Sequence, residues 1–482
     1  MNIQNPEALL AGLLKLPKET EWLEFKQNFS GEENIGKYVS ALSNSALLAG
    51  ELYAYLVFGV ENETHKVVGT NVSLDTRKVG AEDLLHWMHK SLQPPIQITH
   101  KKITIEGTTV EILRLAPPYQ HPIRFNGKAY IRIESSLHPL NDHPAKEGAL
   151  WQAVSRFTFE SEKARTGLSE QQLESLFFLS ELTEGLAEGR SKGNRVEHLT
   201  SEHFISPNLE GGHDARNLLV LTSARDLKQW PGFERKGIRL VSYKTGTKFE
   251  KVLDIWGQRG YFAAFPNAMM TIMREIPSRE ELLHGVRRTI YDIPEVAIRE
   301  ILANAIVHQD LTDHTSGPVV EIFKDRVVIT NPGVPLIKPD RFVDAPSRSR
   351  NTTFANVMRN LGICEQRGSG IDRAFSEIEK AGLPPVSIRV VEGSTVVTIF
   401  GPRHFADMTK EERVLACYWH ASLCVERNNY MSNASLRTRF KLNDKQYPQV
   451  SEVIGEAISA GRIRPLNEDQ GNRNARYVPY WF

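Results

Sequence analysis

Apolar positions along this chain change period several times, and each change marks an element or a boundary. Near the start, "EWLEFKQ" alternates: Leu23 and Phe25 go to one face and Glu24 and Lys26 to the other, the period of a half-buried strand. "NIGKYVSALSNSALLAG" then has the spacing of an amphipathic helix, and "LYAYLVFGV" is a nearly continuous apolar run ending at Gly59, which suits a buried strand. "QITHKKITIEGTTVEILRLA" predicts a hairpin turning near Glu106 and Gly107, and "GKAYIRIES" a further strand. Together these predict an α+β domain over residues 1–145.

Residues 145–190 are helical in pattern, and the glycine-rich, charged "EGLAEGRSKGN" reads as a hinge, so 146–209 is expected to be a helical connector. Strands return over 215–265 in "NLLVLTS", "IRLVSYK" and "KVLDIWG", followed by a helix-rich stretch from about 266 to 310. "VVEIFKDRVVITNPG" reads as strand, turn, strand, and "CEQRGSGIDRAFSEIEKAG" carries glycines ahead of a helix. An α/β layer structure over 210–402 accounts for this order. Beyond "FGPRHF", three helical segments and the closing "ARYVPYWF" predict a winged helix-turn-helix over 403–482. The expected fold class is therefore α+β multidomain.

Length agrees with several domains, since 482 residues exceed the roughly 100–200 that one core usually holds. Composition is that of an ordinary folded chain, 40% hydrophobic and 24% charged, and the net charge of +1 leaves room for a basic groove beside an acidic one. The three cysteines, Cys364, Cys417 and Cys424, have no disulfide or zinc spacing. The N-terminus has no basic leader, and no run of about 18 apolar residues occurs, so a cytoplasmic protein without a membrane span is expected.

Three carboxylates close to strand ends, Glu19, Glu24 and Glu61, with Lys26 beside them, could hold one or two divalent cations and orient a water against a phosphodiester. The same residues also fit a solvated strand face with surface ion pairs. "ETEWLEFK", the helix after it, "LVFGVEN" with "VVG", and "YIRIESS" occur in an order that resembles the Schlafen/AlbA-like domain of bacterial proteins and vertebrate Schlafens, over about residues 15–140. That resemblance implies Glu19, Glu24 and Glu61 as ligands of Mg²⁺ or Mn²⁺, Lys26 as the group neutralising phosphate, and DNA or RNA, transfer RNA included, as the partner. The chain departs from the family at "SNSALLAGELYAYL", where a short Asn-x-x-Gly-Gly turn is usual. It departs again at "IESS", which follows Arg132 and includes Ser135 and Ser136, in place of a Gly-Ser-Ser stretch.

In "PEVAIREILANAIVHQD", Ile298, Ile301, Leu302 and Ala305 share one helical face while Glu300, Asn304 and His308 share another. A polar stripe of this kind is an ordinary solvated face unless something faces it. With "NPG", "SRSRN" and "RGSGI" downstream, it resembles the GHKL ATPase superfamily, in the variant commonly fused to Schlafen/AlbA-like domains, over about 210–400. The resemblance implies ATP as ligand, with Asn304 on its magnesium and Glu300 polarising the attacking water. It places Asn331 and Gly333 at the adenine, Gly368 and Gly370 as phosphate-facing amides, and Arg350 and Arg367 as phosphate contacts. His308 reads as a packing or helix-end residue.

In the C-terminal segment, Arg437, Arg439, Lys441 and Lys445 could lie along DNA phosphates, although winged helices also serve as dimerisation or docking modules. The whole predicts an ATP-responsive, nucleic-acid-binding homo-oligomer, a metal-dependent nuclease of prokaryotic defence or stress response. The alternative is an ATP-binding transcriptional regulator that binds DNA without cutting it.

Overall fold

The computed structural model describes the chain apart from residues 1–2, 4, 17–19, 29–30, 119–120, 157, 187–193, 284–285, 347, 366–369, 470 and 472–474. The expected linker and the carboxylate of Glu19 fall largely or wholly in those gaps. Two compact units emerge: Met1–Ser161 with Arg165–Ser169 and Ser206–Asp214, and Glu162–Ala164 with Glu170–Ile205 and Ala215–Phe482.

In the first unit a four-stranded sheet runs in the order Leu23–Lys26, Ala54–Phe58, Thr108–Leu115, Ile98–Ile105. The first pair is parallel, with Glu24 opposite Leu56 and Lys26 opposite Phe58. A second sheet is centred on Lys128–Ile133. The helix Glu32–Ala49 buries Ile35, Val39, Leu42 and Ala46 in the main core. It approaches so closely at Gly36 that a Cβ there would sit 2.1 Å from the Phe125 ring.

The "SNS" stretch of this helix is entirely buried, and its polar groups do the work of a strand. Asn44 donates to the carbonyls of Ile123 and Tyr130 at 2.9 and 2.8 Å and accepts from the Ile123 amide at 2.8 Å. Ser40 Oγ donates to Ile123 O and accepts from the Tyr130 amide, and Ser45 Oγ accepts from the Arg132 amide at 2.9 Å. Buried backbone groups must find partners, so these side chains fix how the Lys128–Ile133 strand lies on the helix.

The second unit is built on a six-stranded mixed sheet in the order Lys251–Trp256, Arg239–Tyr243, Val319–Ile322, Arg326–Pro332, Ser394–Phe400, Ser387–Val391. Helices Tyr261–Glu275, Glu295–Val307, Thr352–Asn360 and Gly370–Ala381 accompany it. Three expectations change. The stretch 146–209, expected as a helical connector, also holds the strands Lys163–Leu168 and Ile205–Pro207, because tertiary pairing with a third strand, His213–Arg216, recruits segments whose own pattern is too short to show a period. "NLLVLTS" is the helix Asn217–Ser223, with all seven residues buried, because a short apolar run cannot by its period distinguish a buried helix from a strand. The stretch read as helix-rich from 266 holds a hairpin, Ser278–Leu283 with Val286–Tyr291, between its two helices.

At the C-terminal end stand three helices, Lys410–Glu426, Asn433–Arg439 and Tyr447–Ser459, and a small ladder of Ile463–Pro465 with Tyr477–Pro479. Thr409 and Glu412 form a capping box on the first helix, and Ser432 and Ser435 form one on the second. The apolar C-terminus finds its partner in Tyr418: Trp481 donates to its hydroxyl at 3.2 Å and the Tyr480 ring stacks on it.

This module is fastened to the helix Gly370–Ala381. His420 is buried, with Nδ1 3.0 Å from Glu379 Oε1 and Nε2 3.0 Å from Ser435 Oγ. Burial alone pulls the imidazole down, but hydrogen bonds with Cys424 and Glu379 and the Glu379 charge outweigh it and hold its pKa at about 9. The raised value makes the linkage sign definite. The contribution is complete below the ordinary value of 6.5 and fades as pH rises through about 9. Thermal melts across that range are expected to show a falling midpoint in the natural chain and a flatter profile in His420→Gln.

Candidate functional site

In the first unit, strand alternation puts Glu24 and Lys26 on one face, as the sequence predicts, and their side chains form an ion pair. Glu24 is nonetheless 1% exposed, and its other carboxylate oxygen is met by Arg132, which is fully buried. The helix Glu32–Ala49 puts the guanidinium there, by holding the Arg132 amide. Lys26 also lies 4.8 Å from the centre of the Tyr38 ring.

Glu61 follows the strand end, two residues past Gly59, whose amide donates to Lys26 O at 2.7 Å. Its carboxylate accepts a hydrogen bond from Thr64. Glu19 lies outside the described residues. Among the described residues no group of three or more His, Cys, Asp or Glu side chains could hold a metal ion. A divalent cation at Glu24 would have to displace two cations from a buried carboxylate, so the described part of the expected metal set does not fit the ion in this arrangement.

A second acid stands apart from that set. Glu111 is fully buried, accepts from the Leu74 amide at 2.9 Å, and lies 3.0 Å from His100 Nε2 and 3.7 Å from Lys102 Nζ. It pins the loop around Leu74 to the hairpin.

The second unit gathers what the sequence scattered. Glu300, Asn304, His308, Asn331, Arg350 and Gly370 all line one cavity of about 390 Å³, within the usual size of a small-molecule site. Its floor is the sheet, where Asn331 lies opposite Thr395 in the ladder, with Val397 beyond. The Asn331 amide donates to Pro332 O at 3.2 Å, which leaves its carbonyl oxygen to accept from a ligand.

The helices Glu295–Val307 and Gly370–Ala381 make the wall. A Cβ on Gly370 would sit 2.7 Å from Glu300 Oε2, so glycine here leaves the Glu300 carboxylate in its place. Glu300 itself is buried and paired with Arg299. Gly333, at φ +105, turns so tightly that a Cβ would lie 2.7 Å from the Arg350 guanidinium.

Arg350 is committed to that turn: it donates to Val334 O and lies 3.5 Å from Asp310 Oδ2. His308 caps the helix, and burial followed by the Arg350 and Arg359 charges pushes its pKa down to about 4, so it is neutral near pH 7. The cavity's polar lining fits a nucleotide, and Asn304, which the resemblance puts on the phosphate-bound magnesium, is among the residues that line it. Arg367 and Gly368 lie outside the described residues.

Sequence reasoning missed two residues that shape this site. Asn351 is buried and donates to Val307 O and Gln309 O at 3.0 and 2.8 Å, tying the loop to the end of the Asn304 helix. Arg359 lines the cavity from the helix Thr352–Asn360. Each depends on contacts distant in sequence, and only the "SRSRN" string hinted at Asn351.

Three of the four cations assigned to DNA have partners within the protein, one of them buried. Arg439 is buried and donates to Leu383 O, Lys441 donates to Ala381 O, and Arg437 pairs with Asp444, leaving Lys445 exposed.

Residues 19–141 match the family model described as Schlafen, AlbA_2. Residues 316–399 match the HATPase_c_4 model, described as putative ATP-dependent DNA helicase recG C-terminal. The chain thus joins an AlbA-like segment to an ATPase-like, ATP-binding segment, the fused architecture that the resemblances imply. The second match begins after the helix Glu295–Val307, so the cavity alone brings Glu300 and Asn304 to the site.

No curated protein matches. Among solved structures the chain is similar to the DIP2311 protein from Corynebacterium diphtheriae, at 16% identity over 98% of this chain and 97% of that one, with a TM-score of 0.42. No helix among the described residues is long and apolar enough to cross a membrane.

Removing Glu24 strands the Arg132 charge in the core, so Glu24→Ala is expected to cost the first unit about 3–5 kcal/mol in urea unfolding. Glu61→Ala should leave the midpoint nearly unchanged. In the second unit, Gly370→Ala should push Glu300 aside and weaken nucleotide affinity about tenfold by titration calorimetry.

Proposed function

We propose that this protein binds nucleic acid through its AlbA-like domain without cutting it, under the control of ATP held in the second unit: a nucleotide-responsive regulator. The observation that carries the reading is the cavity, where Glu300 and Asn304 of one helix, Asn331 and Gly370 converge from three separate parts of the sequence. The family-model matches support ATP and nucleic acid as the two ligands.

Responsiveness follows from what is attached to the cavity wall. The helix that begins at Gly370 ends in contacts with the C-terminal module: Glu379 with His420, Ala381 O with Lys441, and Leu383 O with Arg439. A second strap joins Asp340 to Tyr418 and Tyr480, close to Phe342 and Ala345 of the cavity lining. A ligand that favours one position of the wall therefore favours one position of the module.

The module has the order of a winged helix-turn-helix, and we assign it to docking and transmission. Its third helix, "YPQVSEVIGEAIS", carries Glu452 and Glu456 and no lysine or arginine, which suits phosphates poorly. Docking to a second copy would make the protein a homo-oligomer. The domain limits 1–145, 146–209, 210–402 and 403–482 and a cytoplasmic location belong to this reading.

In the ATPase part of the scheme, Asn304 would hold magnesium on the phosphates and Glu300 would orient a water. The Arg299 pairing and the burial of Glu300 favour binding over rapid turnover.

A metal-dependent nuclease acting in defence or stress response is the second reading, favoured by Glu61 lying at the strand end beside Lys26. Glu24 speaks against it, since Lys26 and Arg132 already occupy both of its oxygens.

The test is incubation of labelled single-stranded and duplex DNA and RNA, transfer RNA included, with Mg²⁺ or Mn²⁺ and with or without ATP, read for both binding and cleavage. The expected result is retention of intact nucleic acid with an affinity that ATP changes. Cleavage that Glu61→Ala abolishes would replace this reading with the nuclease. Glu61→Ala is a cleaner control than Glu24→Ala, whose loss of activity would report unfolding.

A further inference from the structure

Among the described residues three arginines line the nucleotide cavity, Arg348, Arg350 and Arg359, and they are held differently. Arg350 is fixed at the Gly333 turn by Val334 O and Asp310. Arg348 is exposed on the loop. Arg359 is half-buried in the last turn of the helix Thr352–Asn360, and among the described residues no carboxylate lies within ion-pair distance of it. We propose that Arg359 reads the terminal phosphate of the bound nucleotide and so lets this chain distinguish the triphosphate from the diphosphate. The inference rests on the reading of this cavity as a nucleotide site.

Its position follows from its neighbours. The Arg359 charge acts on both His308 and Cys364, and the Glu300 charge acts on Cys364 as well. His308 stands one turn beyond Asn304 on the helix and Glu300 one turn before it; the helix of Arg359 runs beside them, fastened by Asn351 to Val307 O and Gln309 O at its start and by Arg299 to Gly362 O at 2.6 Å just past its end, which sets Arg359 toward the Glu300 end of this polar stripe. Asn304 is the residue that the resemblance puts on the phosphate-bound magnesium. Arg359 therefore stands at the phosphate end, away from Asn331 at the base end.

Charge supplies the second argument. The two glutamates of the lining are already paired, Glu300 with Arg299 and Glu365 with Arg373 at 3.6 Å. A guanidinium that lines the cavity without a carboxylate partner among the described residues is available to an incoming anion. Its planar fork matches two phosphate oxygens at once.

The mount is rigid. Asn351, at the N-cap, fastens the helix to the carbonyls of Val307 and Gln309, while Phe354, Val357 and Met358 bury its inner face. A charge carried this way reaches a fixed point in space, which a terminal phosphate either meets or does not.

The experiment is titration calorimetry of the full chain with ATP, ADP and adenosine in the presence of Mg²⁺, for the natural protein, Arg359→Gln and Arg359→Lys. Arg359→Gln is expected to lose about tenfold in ATP affinity while ADP stays within about threefold and adenosine is unchanged, with Arg359→Lys recovering part of the ATP loss. Unchanged adenosine binding also reports that the variant is folded. Equal losses for ATP and ADP, or no loss for either, would overturn the assignment. If the natural protein binds none of the three ligands, the nucleotide reading of the cavity fails and the role of Arg359 falls with it. That outcome is distinct from ATP binding that Arg359→Gln leaves intact.

Discussion

The second unit depends on how closely two helices meet at Gly370. A Cβ there would come 2.7 Å from the end of the Glu300 side chain, so glycine at position 370 lets the helix Gly370–Ala381 lie against Glu295–Val307 with the Glu300 carboxylate where it stands. That approach closes one wall of the cavity, sets Glu300 beside it, and aims the far end of the same helix at the C-terminal module. Cavity and module therefore share one structural part, and a change at either end has a direct mechanical route to the other.

The first unit is organised by a different constraint, the satisfaction of buried polar groups. Ser40, Asn44 and Ser45 bond the backbone of a neighbouring strand from inside a helix. The geometry they impose carries Arg132 to Glu24. A buried carboxylate between two cations is a stable internal structure and a poor vacancy for a metal. The stretch that departs from the family pattern is thus the one that builds the Arg132 contact.

In the C-terminal module, the cations that look from the sequence like a phosphate-binding row are mostly paired: Arg439 is buried on a carbonyl oxygen, while Lys441 and Arg437 bond a carbonyl oxygen and an aspartate at the surface. His420 lies at the centre of the module's contact with the helix Gly370–Ala381, held in its charged form by Glu379.

Periodicity alone determined much of the architecture: the strand at Leu23–Lys26, the helix bearing Glu300, Asn304 and His308, the ladder from Val319 to Pro332, and the three closing helices. These were legible because burial imposes a period of two or 3.6 wherever one face meets a core. The stripe at Glu300, Asn304 and His308 was also legible as a polar face, though not as a wall with an opposite side.

Tertiary structure decided the rest. It made "NLLVLTS" a helix, turned Glu24 from an exposed ligand into a buried ion-paired group, and paired Arg439 and Lys441 with carbonyl oxygens. It also brought Arg359 and Asn351 to the cavity. In each case the deciding partner is distant in the chain, and a local pattern records which face a residue takes without recording what that face meets.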